Sequence, residues 1–354
     1  MEWFSFPVSL ALLSLILHCI HAVPQVPCYF IFGDSLSDDG NNNYLATLAK
    51  VNYLPYGVDY PQGPTGRFSN GKNIQDVIAE NLGFPSPIPP FANAKGNAIL
   101  TGVNYASGGA GIRYETGETV GARIPLDMQL TNHAITISKI AAILLSSNTN
   151  ESASDLLSKC IYTIDIGSND YILNYFLPRF YPTSHQYTPQ QYAKVLIQQY
   201  SQKIQNLYHN GAKKFALFAI GYVGCTPYAV ATYGTKNGSS CVDDQNQAVQ
   251  LFNEALLSLV KELNNNISDA KFTYINPYGF TATGFVTNSS CCEVDITGQL
   301  CVRNSVPCPD RSKYAYWDGV HPTQAINILA GDFAYATTST SNAYPFNLQS
   351  LALQ

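Results

Sequence analysis

The sequence predicts an α/β fold, a three-layer α/β/α sandwich around a mostly parallel sheet. Two observations carry that expectation. Short apolar runs, too short for helices, recur along the chain, and amphipathic stretches of helical period lie between them. Strand followed by helix, repeated, favours parallel strands joined by crossover helices on both faces.

The strand candidates are Cys28 to Phe32, Cys160 to Ile166, Lys214 to Ile220 and Lys271 to Ile275. The helix candidates are Pro189 to Asn210, Asp243 to Asn265 and Thr323 to about Tyr335. In the second helix Ala248, Leu251, Phe252, Ala255, Leu256, Leu259, Val260 and Leu263 mark one apolar face. Two regions read as long loops, Pro55 to Pro90 and the cysteine-rich Thr287 to Pro309. Each either shapes an entrance or caps the fold. No internal repeat or linker appears, so residues 23–354 are assigned to a single domain.

Residues 1–22 read as a signal peptide. The apolar run from Val8 to Ile20 is 13 residues long, short of a bilayer span, and Ala22 offers a cleavage site. Glu2 without Lys or Arg makes a weak leading segment, and a signal anchor is the rival reading. No later run is apolar enough for a second span. Of nine cysteines, Cys19 lies in the leader and eight remain, an even number that favours disulfides in an oxidising compartment. The adjacent pair Cys291 and Cys292 lacks the C-x-x-C spacing of a structural zinc site. Cys225 with Cys241 is a plausible local loop closure. Four sequons, at Asn150, Asn237, Asn266 and Asn288, agree with export and read as surface loop. The expected location is therefore extracellular. The net charge of −5 without a basic patch excludes nucleic acid as a partner. A monomer is expected.

Four segments carry potential chemistry. Ser35 follows the first strand in Gly33-Asp34-Ser35-Leu36, at the carboxyl end where α/β sheets place their sites. The bland reading makes Asp34 and Ser35 a helix cap. Asp318 and His321 lie three residues apart in Trp317-Asp318-Gly319-Val320-His321. Imidazole, titrating near ~6.5, can accept a serine proton and return it to a leaving group, and a carboxylate on its other nitrogen fixes the tautomer. The bland alternative is a capped helix start with a surface histidine. Segments Asn104 to Gly111 and Ile166 to Asp170 can supply oxyanion donors, with Ser35 N–H as a third. Each is also an ordinary turn.

Taken together, these blocks resemble the SGNH hydrolases, and specifically the plant GDSL esterase/lipase family. The matching segments are FGDSLSDDGNNN with Ser35, NYASGGAGI with a glycine, GSNDY with Asn169, and WDGVHPT with Asp318 and His321. The resemblance covers essentially the whole mature chain and includes Gly224-Cys225-Thr226-Pro227 and Phe252 to Leu256. Two positions depart from it: Glu293 stands where glycine is usual, and Thr226 where leucine is common. The resemblance implies a flavodoxin-like sheet, a Ser35 nucleophile, a His321 base oriented by Asp318, and an oxyanion hole from Gly109 and Asn169. Gly109 is preferred to Gly108 from its position in the block. Asp318 carries less weight than Ser35 and His321, because a backbone carbonyl shares its task in some relatives. No metal or cofactor is implied. The implied reaction is hydrolysis of a small-molecule or polymer ester, whether lipid, acetylated polysaccharide or cutin-like. Acyl transfer to an alcohol through the same residues is the alternative. A non-catalytic wall protein stacking sugars on some of its 24 tyrosines is a third.

Overall fold

In the computed structural model, residues 23–147 and 149–354 are described, and the leader-like segment 1–22 lies outside them. Strands β1 (Tyr29–Gly33), β2 (Ile161–Asp165), β3 (Lys214–Phe218) and β4 (Lys271–Ile275) pair in that order, all parallel. Away from the sheet, β5 (Val286–Ser290) pairs with β6 (Tyr314–Tyr316). The short β7 (Ala343–Tyr344) closes the main sheet antiparallel to β4.

Successive residues on a strand point to opposite faces. Phe30, Phe32, Tyr162, Ile164, Phe215, Leu217 and Phe272 therefore meet one helix layer, made of Leu126–Ser146, Pro189–His209 and Asp243–Asn266. Tyr29, Ile31, Ala216, Phe218 and Ile275 meet the other, made of Ile74–Asn81, Gln324–Ala336 and Leu348–Ala352. Cover on both faces is why the strands read as nearly unbroken apolar runs.

A segment without its own strand signature completes the order. Ile31 N–H donates to Val103 O at 3.1 Å, Tyr105 N–H to Ile31 O at 2.7 Å, and Ser107 N–H to Gly33 O at 3.2 Å. Residues 103–107 thus run parallel along the free edge of β1. In chain order the sheet reads second, first, third, fourth, fifth, the doubly wound flavodoxin-like arrangement. Its switch point lies between the carboxyl ends of β1 and β2, where such folds open a crevice.

The region Pro55 to Pro90 departs from the loop expectation. It contains the helix Ile74–Asn81, started by a capping box between Asn73 and Asp76. Burial of Ile74, Val77 and Ile78 stabilises this short helix more than any propensity does. Two sequons also depart from the surface-loop reading. Asn266 ends a helix and Asn288 lies in β5, although both are exposed.

The eight cysteines form four disulfides. Cys28–Cys160 joins the starts of β1 and β2, and Cys225–Cys241 closes the predicted local loop. Cys291–Cys308 and Cys292–Cys301 cross-link the cysteine-rich region. That region packs with Tyr56, Phe68 and Trp317 into a small third core. This core underlies the turn that carries Asp318 and His321. No helix among the described residues is long and apolar enough to cross a membrane.

Candidate active site

Ser35 sits at the apex of a tight turn leaving β1. Asp34 N–H donates to Asp165 O at 3.3 Å, and Asp34 Oδ1 accepts from Leu36 N–H at 3.0 Å. No helix starts here, so Asp34 and Ser35 are not its caps. Gln129, fully buried, grips the preceding residue from both sides: its Oε1 accepts from Gly33 N–H at 3.0 Å and its Nε2 donates to Gly33 O at 2.8 Å. Gly33 leaves no room for a side chain, since a Cβ there would lie 2.7 Å from Asp165 O.

From the far end of the chain, the turn Trp317 to His321 folds back on itself, with Trp317 N–H donating to His321 O at 2.8 Å. Thr323, not Asp318, caps the following helix. Asp318 is buried and faces inward. Its Oδ1 accepts from Val320 N–H at 2.9 Å and His321 N–H at 2.7 Å. Its Oδ2 lies 2.8 Å from His321 Nδ1. A carboxylate only accepts, so Nδ1 carries the proton and Nε2 is left as an acceptor. His321 Nε2 lies 2.8 Å from Ser35 Oγ. Phe68 packs on the imidazole with ring centroids 4.9 Å apart. The structure thus brings together Ser35, His321 and Asp318, which are separated by up to 286 residues.

Segments Asn104 to Gly111 and Ile166 to Asp170 both reach the cleft that Ser35 lines. Gly108 N–H is taken by Asp38 Oδ2 at 2.9 Å, whereas Ser35 N–H and Gly109 N–H donate to no group among the described residues. Gly109 has φ +81°, a left-handed conformation that favours glycine. Asn169 Nδ2 donates one hydrogen to Ala110 O at 2.9 Å, which leaves the other for the cleft. Next to it, Asp170 accepts from Ile112 N–H at 2.7 Å and Arg113 N–H at 3.0 Å, locking the two segments together.

Tyr56 was not legible as a site residue. Its hydroxyl donates to Asp318 Oδ2 at 2.6 Å and accepts from Cys301 N–H at 2.9 Å. Burial, with the nearby Asp318 carboxylate, pushes its phenol well above the ordinary value, so it stays a donor. It sits in a glycine- and proline-rich stretch with no periodicity to mark it.

Ser35, Gly109, Asn169 and His321 line a cleft of about 960 Å³. Ile172, Leu173, Leu177, Phe180 and Val223 contribute apolar lining. The lining as a whole is mostly apolar, and Lys50, Thr297, Gln299 and Arg303 are among its polar members.

Buried carboxyls lie around the turn that carries Ser35. Burial pushes Asp38 and Asp170 up to about 6 and Asp165 up to about 7. These values exceed those of the unfolded chain, so between about pH 4 and 7 the folded state binds more protons. The contribution of these carboxyls to stability is fullest below about pH 4 and is lost as pH rises through 6 to 7. Thermal unfolding should therefore show a midpoint a few degrees higher at pH 5 than at pH 8, read by circular dichroism. A higher midpoint at pH 8 would contradict it.

Comparison with known proteins decides the family. Residues 29–333 match the family described as GDSL-like Lipase/Acylhydrolase. The chain belongs to the GDSL-like lipase/acylhydrolase family. Three Arabidopsis thaliana relatives, each named GDSL esterase/lipase, are 50%, 48% and 48% identical to it. Their alignments cover 94%, 93% and 93% of this chain and 93% of each relative. As a member of the GDSL family, the protein is a carboxylic ester hydrolase.

Proposed function

We propose that the protein is a secreted serine esterase that works through an acyl-enzyme on Ser35. The observation that carries this reading is the hydrogen-bonded line from Ser35 Oγ through His321 to Asp318. His321 Nε2 takes the Ser35 proton as Oγ bonds to the ester carbonyl carbon. The carbonyl oxygen becomes an oxyanion, held by Ser35 N–H, Gly109 N–H and the Asn169 amide. Collapse breaks the ester C–O bond, and His321 gives its proton to the departing alcohol. Water then attacks the acyl-enzyme with His321 again as base, releasing acid and restoring Ser35.

The mostly apolar lining of the cleft suits an acyl chain. Such a lining fits a lipid or cutin-like ester better than a small acetyl ester. Transfer of the acyl group to an alcohol uses the same steps with a different acceptor, and product analysis with added glycerol separates the two. Four disulfides and four exposed sequons support an extracellular location.

A fluorophosphonate probe tests the reading. It should label the peptide bearing Ser35 stoichiometrically and abolish turnover of p-nitrophenyl esters, with octanoate preferred to acetate. Labelling elsewhere, or full activity after labelling, would overturn it.

A further inference from the structure

The motif that carries Ser35 continues into Asp38-Asp39-Gly40-Asn41-Asn42-Asn43, and the mechanism uses none of these residues. Two of them hold Gly108 at both ends. Asp38, fully buried, accepts from Gly108 N–H through Oδ2 at 2.9 Å, while its Oδ1 accepts from Gly40 N–H at 2.7 Å and Asn41 N–H at 2.8 Å. Asn42, also buried, donates from Nδ2 to Gly108 O at 2.9 Å and Ala49 O at 2.7 Å. Its Oδ1 accepts from Ser107 Oγ at 2.5 Å. Every polar atom of these two side chains is engaged.

We propose that Asn42 and Asp38 are the positioning residues of the oxyanion hole, fixing the Gly108–Gly109 peptide so that Gly109 N–H faces the cleft. The inference rests on the reading of Gly109 as an oxyanion donor. In a trans peptide the C=O and the following N–H point in opposite directions. Asn42 draws Gly108 O away from the cleft, so Gly109 N–H must point into it. Two adjacent glycines leave this peptide free to rotate. A flip would put a carbonyl oxygen where the substrate's oxyanion forms, turning attraction into repulsion. Gly108 also has to be small, because a Cβ there would lie 2.5 Å from the Phe68 ring and 3.0 Å from Asn42 Nδ2.

The roles divide along the motif. Ser35 attacks, and Asp38 and Asn42, a few residues later, shape the site that receives the resulting charge. Such an interaction exists only in the transition state, so its loss lowers kcat and leaves KM nearly unchanged. A residue needed only for folding would lower the amount of folded protein and leave the properties of each folded site unchanged.

The test is Asn42→Asp, which is isosteric, keeps the acceptor for Ser107 and removes the donor to Gly108 O. Kinetics are normalised to folded sites. Removing one oxyanion donor costs roughly 10²–10³-fold in rate, and a misaimed donor should cost about 10–100-fold. We expect kcat for a p-nitrophenyl ester and the rate of Ser35 phosphonylation to fall together by that factor, with KM within about twofold. Phosphonylation reads the hole directly, since the phosphonyl oxygen occupies the oxyanion position. If Asn42→Asp does not fold, Asp38→Asn is read by the same criteria. A folded variant with unchanged kcat, a change confined to KM, or failure of both variants to fold would overturn the proposal. If the parent protein is not labelled at Ser35, the catalytic reading itself fails. If the parent is labelled and Asn42→Asp reacts as fast, only the positioning role fails.

Discussion

Ser35→Ala should lower kcat/KM for a p-nitrophenyl acyl ester by about 10⁵-fold, to a level set by the oxyanion donors and binding alone. The substitution removes one oxygen, whose hydrogen-bond partner is His321 Nε2. No packed methylene is lost, so the unfolding midpoint should stay within about a degree. A near-complete loss of turnover in a fully stable protein is the signature of a nucleophile. Retained turnover would remove Ser35 from the chemistry.

Asp318→Asn should come next, at about 10³–10⁴-fold in kcat. Asp318 accepts from four donors: Val320 N–H, His321 N–H, Tyr56 Oη and His321 Nδ1. An asparagine has one acceptor atom and one donor group. If its oxygen serves the two backbone N–H groups, its NH₂ faces Tyr56 Oη and His321 Nδ1. Nδ1 must then become an acceptor, which moves the proton to Nε2 and blinds the imidazole to Ser35. Unlike Ser35→Ala, this change leaves buried donors unpaired and should also lower stability by about 1–3 kcal/mol. Tyr56→Phe removes a single donor and keeps the tautomer, so about a tenfold loss in kcat is expected. Steady-state kinetics and thermal melts on the three variants check the order. An Asp318→Asn protein with near-normal kcat would mean that another group orients His321.

The parts of this site differ in how plainly the sequence shows them. β1 to β4 are legible because burial on both faces leaves uninterrupted apolar runs, and the helix Asp243–Asn266 because its apolar stripe has a clean period. Ser35, Asn169 and His321 follow from motif chemistry and the rule that α/β sites gather at strand carboxyl ends. The helices Leu126–Ser146 and Ile74–Asn81 lack a clear signature in the sequence, for different reasons. The first interrupts its apolar face with buried Gln129 and His133, and the second is short and lies among turn residues. Gln129 breaks the pattern because it grips Gly33, so a functional demand obscured the signal. Residues 103–107 form an edge too irregular to read as a strand, yet they deliver Gly109 beside Ser35. Tyr56 depends on a contact with a residue 262 positions away, which no local pattern encodes.

The acyl-enzyme is the centre of this account, and rapid-quench mass spectrometry during turnover of a p-nitrophenyl ester observes it directly. The account predicts an added acyl group on the peptide containing Ser35, formed and lost at rates that match turnover and absent in Ser35→Ala. Full turnover with no acyl group on Ser35, or with the acyl group on another residue, would contradict it.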